Sequence, residues 1–214
     1  MRWRCFSILL GAMVITAALA GAVGAQQEIR TYQGKALSPF HRQYDNSIRG
    51  PQVVDPGKFR LKVGGLVAKP LALSYKQALA LRPVERVVQM NCVEGWSELL
   101  LFTGIRVADL LRLAQPKPGA GWVIFRAADG YSSAMPLKYL LASDALLAFK
   151  VNGLTLDAKR GFPFWLVAPG KLGYKWVKWI VAVELSAQEY KGYWERRGYS
   201  NEARVTKPAK RLVE

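Results

Sequence analysis

The chain has 214 residues, 51% of them hydrophobic, and its 31 lysines and arginines against 15 acidic residues give a formal net charge of +16. A chain of this length and hydrophobic content can bury the core of one domain, and so basic a surface favours an anionic lipid, protein, cofactor or substrate as partner. The single histidine excludes a multi-histidine zinc or copper site, and no C-x-x-C-H segment is present to attach haem covalently.

Residues 1–25 are typical of an export signal. Arg2 and Arg4 form a positive n-region, an apolar segment follows, and the small residues Val-Gly-Ala form a cleavage site before Gln26. The uncharged run of residues 5–25 is also long enough to span a bilayer, so an uncleaved signal anchor is the alternative. Both interpretations predict a periplasmic or otherwise extracytoplasmic protein. Export and the absence of a nucleic-acid-binding motif argue against nucleic acid as a partner.

Residues 26–58 are polar and interrupted by proline and glycine, which indicates an extended N-terminal arm. Beyond the arm, hydrophobic periodicity and turn residues predict short elements. Strands are expected over residues 59–63, 84–93, 99–102, 122–127, 131–135, 146–151, 154–156, 164–168 and 176–185, and helices over 74–81, 107–114 and 137–142. Asp129-Gly130 and Asn152-Gly153 predict tight hairpins. Without strict βαβ alternation, this mixture predicts an α+β fold. One domain is expected over residues 59–195, with a tail over 196–214 that frays after about residue 203.

Cys92 lies at the end of the predicted strand over residues 84–93. The only other cysteine, Cys5, lies in the predicted signal, so the exported protein would carry one unpaired thiol. An unpaired thiol in an exported protein suggests a function, because a thiolate is both a nucleophile and a soft metal ligand. We call residues 91–97, Asn-Cys-Val-Glu-Gly-Trp-Ser, the cysteine motif.

A second segment, residues 169–179, combines one proline and two glycines with three lysines, and we call it the lysine loop. Small residues let the backbone approach a ligand closely, and backbone N–H groups beside Lys175 and Lys178 could hold a phosphate. A plain basic hairpin loop is the alternative, and composition alone favours it.

The cysteine motif and the lysine loop together resemble the molybdopterin-binding domain of the sulfite oxidase family, and the likeness extends over roughly residues 40–195. The resemblance implies a molybdenum cofactor with one pterin per metal and with Cys92 as the protein's ligand to the metal. It implies that the pterin phosphate is held by Lys175, Trp176, Val177 and Lys178. By likeness to the bacterial periplasmic sulfoxide reductase branch, it also implies that the cofactor contacts the arm residues His41, Tyr44 and Asp45.

Three positions depart from the family pattern. Trp165 stands where an arginine is usual, Trp176 where a small residue is usual, and Arg160 where histidine or asparagine is common. One hypothesis is that the positive charge has moved from position 165 to Arg160, which would also bind the cofactor, while Trp165 packs against the pterin.

The resemblance implies a two-electron oxygen-atom transfer, either sulfoxide reduction or sulfite-type oxidation, on a small oxyanion or sulfoxide substrate. Electrons would pass to or from a separate protein, either a membrane haem or quinol-linked subunit or a soluble cytochrome, and the enzyme itself is expected to be a monomer. Two alternatives remain. One is a cysteine hydrolase in which His41 activates Cys92, and the other is a cofactor-free binding module of the same fold.

Overall fold

The computed structural model describes residues 26–40, 47–207 and 209–211. The expected signal or anchor over residues 1–25 lies outside these ranges, and so do His41, Tyr44 and Asp45. Among the described residues, no helix has both the length and the apolar character needed to cross a membrane.

The chain forms thirteen short strands and three short helices within the described ranges. The strands are β1 (Thr31–Tyr32), β2 (Lys35–Ala36), β3 (Arg60–Gly65), β4 (Leu71–Ser74), β5 (Val84–Asn91), β6 (Trp96–Arg106), β7 (Trp122–Ala127), β8 (Ser132–Pro136), β9 (Leu146–Val151), β10 (Leu154–Thr155), β11 (Trp165–Val167), β12 (Ile180–Ser186) and β13 (Lys210–Arg211). The helices are α1 (Tyr75–Leu79), α2 (Val107–Ala114) and α3 (Leu137–Ala142), and 3-10 turns occur at Gly173–Lys175 and Glu195–Arg197.

Two sheets enclose the core. The first has six strands, with β6 at its centre pairing β5 and β9 antiparallel and β13 parallel, while β10 and β11 both pair β9. The second has five strands in the order β4-β3-β12-β7-β8, in which only the β3–β12 pair is parallel. Side chains from both sheets, such as Phe102 of β6 and Phe125 of β7, belong to one continuous buried cluster. This arrangement confirms the α+β prediction.

Local signals in the sequence are confirmed where they are strong. Helix α2 has the predicted bounds, and Ser74 and Gln77 form a reciprocal capping box at the start of α1. In the hairpin between β9 and β10, Asn152 and Gly153 both have positive φ angles, as a type I′ turn requires.

Three predictions about element length are wrong, and each involves contacts between distant parts of the chain. The expected strand over 99–102 is part of the eleven-residue β6, because β6 is hydrogen-bonded on both sides. The expected strand over 176–185 begins only at Ile180, since Trp179 has a φ angle of 52° that interrupts an extended backbone. The tail does not fray at residue 203, because β13 pairs with β6.

Candidate active site

The cysteine motif and the lysine loop are adjacent in the fold although they are distant in sequence. Asn91 and Leu172 form an isolated parallel bridge between them. A Cβ atom added at Gly173 would lie 3.9 Å from the Cα atom of Cys92, which is ordinary van der Waals contact. The two segments that carry the family resemblance therefore form one site.

Cys92 is held at the end of β5 by a tight turn. Its N–H donates to the carbonyl of Trp96 at 2.9 Å, and its carbonyl accepts from the N–H of Gly95, which has a φ angle of 88°. The half-buried Sγ atom lies 3.7 Å from the Oε2 atom of Glu94, and the same oxygen accepts from the indole N–H of Trp96 at 2.9 Å. Cys92 forms no disulfide.

Among the described residues, the backbone N–H groups of Glu94 and Val93 act to lower the pKa of the Cys92 thiol, but other causes outweigh them. Burial raises the pKa of Cys92, and the neighbouring charge of Glu94 acts in the same direction. A nucleophilic cysteine of a hydrolase needs the opposite shift, whereas a metal cation deprotonates a thiol that coordinates it. The described surroundings therefore do not by themselves favour a thiolate nucleophile, and His41, the activating base of the hydrolase alternative, lies outside the described residues. No group of three or more histidine, cysteine, aspartate or glutamate side chains that could hold a metal occurs in the described part of the chain.

Cys92 opens into a cleft of about 430 Å³ whose far wall is the end of the chain. We call this wall, residues 199–207 and 209–210, the C-terminal strap. The described lining carries three cationic side chains and no carboxylate, and consists of Cys92, Val93, Gly95, Leu172, Arg204, Thr206, Lys207, Ala209 and Lys210. These three cations outnumber the two nearby carboxylates, Glu94 beside the thiol and Glu202 beside Arg204, so the cleft keeps a net positive charge that would attract an anionic ligand.

The C-terminal strap is hydrogen-bonded to both halves of the site. The N–H of Leu172 donates to the carbonyl of Ala203 at 2.8 Å, and the N–H of Ala209 donates to the Oδ1 atom of Asn91 at 3.2 Å. The Ser97 hydroxyl donates to the carbonyl of Ala209 at 3.1 Å. No sequence pattern predicted this placement, because the strap contains only short runs of charged and polar residues.

Lys175 differs from its expected role. Its ammonium is fully buried and donates to the Glu195 carboxylate at 2.6 Å, to the carbonyl of Ala134 at 3.0 Å and to the Oδ1 atom of Asn201 at 2.9 Å. Burial lowers the pKa of Lys175, while Glu195 opposes that shift. An ammonium has three donors, and all three are used. The side chain of Lys175 therefore has no donor left for a phosphate and instead connects the lysine loop to the C-terminal strap.

The two unusual tryptophans pack against each other in the core. The indole N–H of Trp165 donates to the carbonyl of Trp176 at 3.0 Å, and that of Trp176 donates to the carbonyl of Lys171 at 3.0 Å. Phe102 contacts both rings, and Phe40 stacks on Trp165. Trp165 is only 1% exposed, so protein side chains already provide the packing that was expected from a pterin.

Arg160 and Lys178 each lie over one ring of the stacked pair Phe40 and Trp165. The guanidinium of Arg160 pairs with Asp157 at 2.9 Å and lies 4.9 Å from the centroid of the Phe40 ring. The ammonium of Lys178 lies 5.0 Å from the centroid of the Trp165 ring. Of the predicted cofactor-binding cations, Lys178 thus lies beside a cation–π partner and Arg160 stays partly exposed.

A second, smaller cavity of about 20 Å³ lies between the lysine loop and the turn that joins β7 to β8. It is lined by Asp129, Tyr131, Gly173, Tyr174, Trp176, Val177, Lys178 and Trp179, and so it includes three of the predicted cofactor-binding residues. Arm residues on both sides of the segment 41–46 lie near this region. Phe40 contacts Trp165, and the N–H of Ile48 donates to the Oδ2 atom of Asp129 at 3.1 Å.

Comparison with known proteins gives consistent matches. The family model described as oxidoreductase molybdopterin binding domain matches residues 48–194. The uncharacterized oxidoreductase YuiH of Bacillus subtilis is 36% identical over 150 residues, covering 70% of this chain and 76% of that protein. The putative protein-methionine-sulfoxide reductase subunit YedZ1 of Azospira oryzae is 37% identical over 163 residues, covering 76% of this chain and 61% of that protein.

A third relative is the protein-methionine-sulfoxide reductase catalytic subunit MsrP of Gluconobacter oxydans. It is 33% identical over 163 residues, which cover 68% of this chain and 52% of that protein. The chain therefore spans less than two thirds of both methionine-sulfoxide reductase relatives. Among solved structures, the sulfane dehydrogenase SoxCD of Paracoccus pantotrophus superimposes with a TM-score of 0.61 at 23% identity, over 65% of this chain and 41% of that one. At this identity the likeness concerns the fold alone.

Proposed function

The chain belongs to the oxidoreductase molybdopterin-binding domain family, and from that premise we propose that it is an extracytoplasmic molybdenum enzyme that reduces sulfoxides. The observation that carries the proposal is the half-buried, unpaired thiol of Cys92, which lies where the cysteine motif meets the lysine loop and opens into a cationic cleft. Two relatives named as methionine-sulfoxide reductase proteins favour sulfoxide reduction over sulfite-type oxidation.

The described residues fit such a cofactor. Cys92 would be the protein's one ligand to the metal, with a single pterin supplying the remaining sulfur ligands. Lys178 and Arg160 are proposed to bind the cofactor, and Trp176 and Val177, which line the cavity beside Lys178, are proposed as further contacts. We keep the arm residues His41, Tyr44 and Asp45 as proposed cofactor contacts. Lys175, by contrast, is a positioning residue, because its ammonium binds within the protein.

The bound cofactor supplies two-electron oxygen-atom transfer, and the chain's own residues bind and orient it. The thiol of Cys92 must lose its proton to coordinate the metal, against the upward shift that burial imposes on its pKa. The turn over residues 92–95 holds the backbone of Cys92 in place through its hydrogen bonds. The C-terminal strap forms one wall of the open cleft beside the thiol.

The proposal includes the remaining organisation of the protein. Residues 1–25 act as the signal or anchor, residues 26–58 as the arm and residues 59–195 as the catalytic domain. Electrons come from a separate protein, as the word subunit in the names of two relatives suggests. The high positive charge of the chain would speed association with an acidic donor, so added salt should slow electron delivery.

The test is metal and pterin analysis of the full chain made in a host that synthesises the cofactor, beside the Cys92→Ser variant. We expect about one molybdenum and one pterin per chain, both lost in the variant, and turnover of methionine sulfoxide with a reduced viologen dye as electron donor. Folded wild-type protein without molybdenum would refute the proposal. In that case, hydrolytic turnover that is abolished by thiol alkylation would indicate a cysteine hydrolase. The absence of any turnover would indicate a binding module. Oxidation of sulfite instead of sulfoxide reduction would reverse the assigned reaction.

A further inference from the structure

The C-terminal strap brings positive charge to the thiol from a part of the chain outside the matched family region, which ends at residue 194. Arg204, Lys207 and Lys210 all line the cleft that contains Cys92. We infer that these three cations select a substrate that carries negative charge beside its reacting sulfur, such as an acidic peptide segment. The inference deepens the proposed function and rests on it.

The strap is a fixed wall of the cleft. Backbone bonds tie it to the lysine loop at Gly170 and Leu172, and the pairing of Lys210 with Trp96 ties it to β6. The hydroxyl of Tyr174 also donates to the carbonyl of Ser200 at 2.6 Å. Because these bonds occur along the length of the strap, its backbone keeps the three cationic side chains on the same wall of the cleft as Cys92.

The arrangement of the charges favours a large anion over a small enclosed one. The Arg204 side chain is 73% exposed and pairs with Glu202, which is 60% exposed, and Lys207 and Lys210 are also exposed. A small oxyanion in a closed pocket is held by buried, desolvated donors, which the strap does not present. Solvated cations on the rim of an open cleft act instead through their electrostatic potential, and a flexible acidic peptide can lie along the row of cations. The half-exposed Val93 on the opposite side of the cleft offers an apolar contact.

The first experiment measures the potential at Cys92 in cofactor-free protein. The thiol is alkylated with iodoacetate, which is anionic, and with iodoacetamide, which is neutral, and modification of Cys92 is followed by peptide mass spectrometry, which separates it from Cys5. The ratio of the two rates cancels any change in the thiol's own pKa. For the double variant Lys207→Gln/Lys210→Gln, we expect this ratio to fall about fourfold at low ionic strength, because each unit charge nearby changes the local concentration of an anion about twofold.

A double variant with the same change in net charge provides the control. Lys58 and Lys76 are exposed and do not line the cleft, so Lys58→Gln/Lys76→Gln should leave the rate ratio unchanged. The difference between the two double variants should shrink as salt is raised to about 0.15 M, where screening extends over about 8 Å. Equal ratios in the two double variants would overturn the inference.

The second experiment uses the molybdenum-loaded enzyme and methionine-sulfoxide peptides with acidic or basic flanking residues. The Lys207→Gln/Lys210→Gln variant should keep its molybdenum, show a KM raised about fivefold for the acidic peptide only, and keep its kcat. Loss of molybdenum in this variant would show that the strap holds the cofactor's phosphate and would refute substrate selection. Wild-type protein without molybdenum would contradict the proposed function, whereas the alkylation ratio would still test the strap.

Discussion

Replacing Lys175 with methionine distinguishes a structural lysine from a phosphate ligand. The substitution keeps most of the side-chain volume but removes the ammonium, which leaves the carboxylate of Glu195 buried with the Ser133 hydroxyl as its remaining partner. Removing one partner of a buried ion pair costs about 3–5 kcal/mol, since the other charge stays buried without compensation. For a chain of this size that corresponds to a Tm lower by about 6–20 °C.

The assay is urea denaturation of cofactor-free protein. If Lys175 acts as the structure indicates, the loss of stability appears without any cofactor, and the double variant Lys175→Met/Glu195→Gln recovers part of it. Lys76→Met is the matched control, because Lys76 is exposed and should cost less than about 0.5 kcal/mol. If Lys175→Met is as stable as this control and loses only bound pterin, the buried ion pair is not what holds the lysine loop, and Lys175 binds phosphate.

Three further predictions concern Arg160, Trp165 and Tyr139. Arg160→Ala should lower the pterin content of purified protein. It should leave the urea midpoint of cofactor-free protein unchanged, because the ion pair of Arg160 with Asp157 is partly exposed. An unchanged pterin content would show that Arg160 does not supply the positive charge missing at Trp165. Trp165→Phe should lower the free energy of unfolding by about 1–3 kcal/mol, since the carbonyl of Trp176 loses its donor in the core; chemical denaturation measures this, and a neutral effect would contradict the packing. Burial raises the pKa of Tyr139 from 10.0 to about 12. As the pH rises from about 10 to about 12, the unfolded chain releases a proton from Tyr139 that the folded protein keeps. The free energy of unfolding should therefore fall by up to about 1.4 kcal/mol per pH unit more than in Tyr139→Phe, and urea titrations at several pH values measure this difference.

The parts of the fold that were predictable from the sequence depend on neighbouring residues. The capping box at Ser74, the helical spacing of α2 and the turn at Asn152-Gly153 are each set within a few residues, so local chemistry determines them. The adjacency of the cysteine motif and the lysine loop was predicted only through the family resemblance, because no local pattern specifies a bridge between Asn91 and Leu172.

The parts that could not be predicted depend on pairing between distant segments. Lys175 looked like a phosphate ligand because its carboxylate partner, Glu195, lies twenty residues later in a segment with no recognisable pattern. The C-terminal strap looked like a fraying tail because β13 has only two residues and depends on β6 for its hydrogen bonds. Trp165 and Trp176 looked like separate anomalies, whereas in the fold one indole donates to the backbone of the other.

The parallel pairing of β3 with β12 also determines when the protein can fold during synthesis. Strand β3 ends at Gly65 and its partner begins at Ile180, so the centre of the five-stranded sheet stays incomplete until most of the chain has left the ribosome. Until then the edges of β3 and β7 that will face β12 have no partner, and open edges of this kind promote association between nascent chains. Contacts with such large sequence separation also slow folding. The full chain should therefore need protection by chaperones late in translation, and truncations that end before residue 180 should aggregate instead of forming a smaller stable domain.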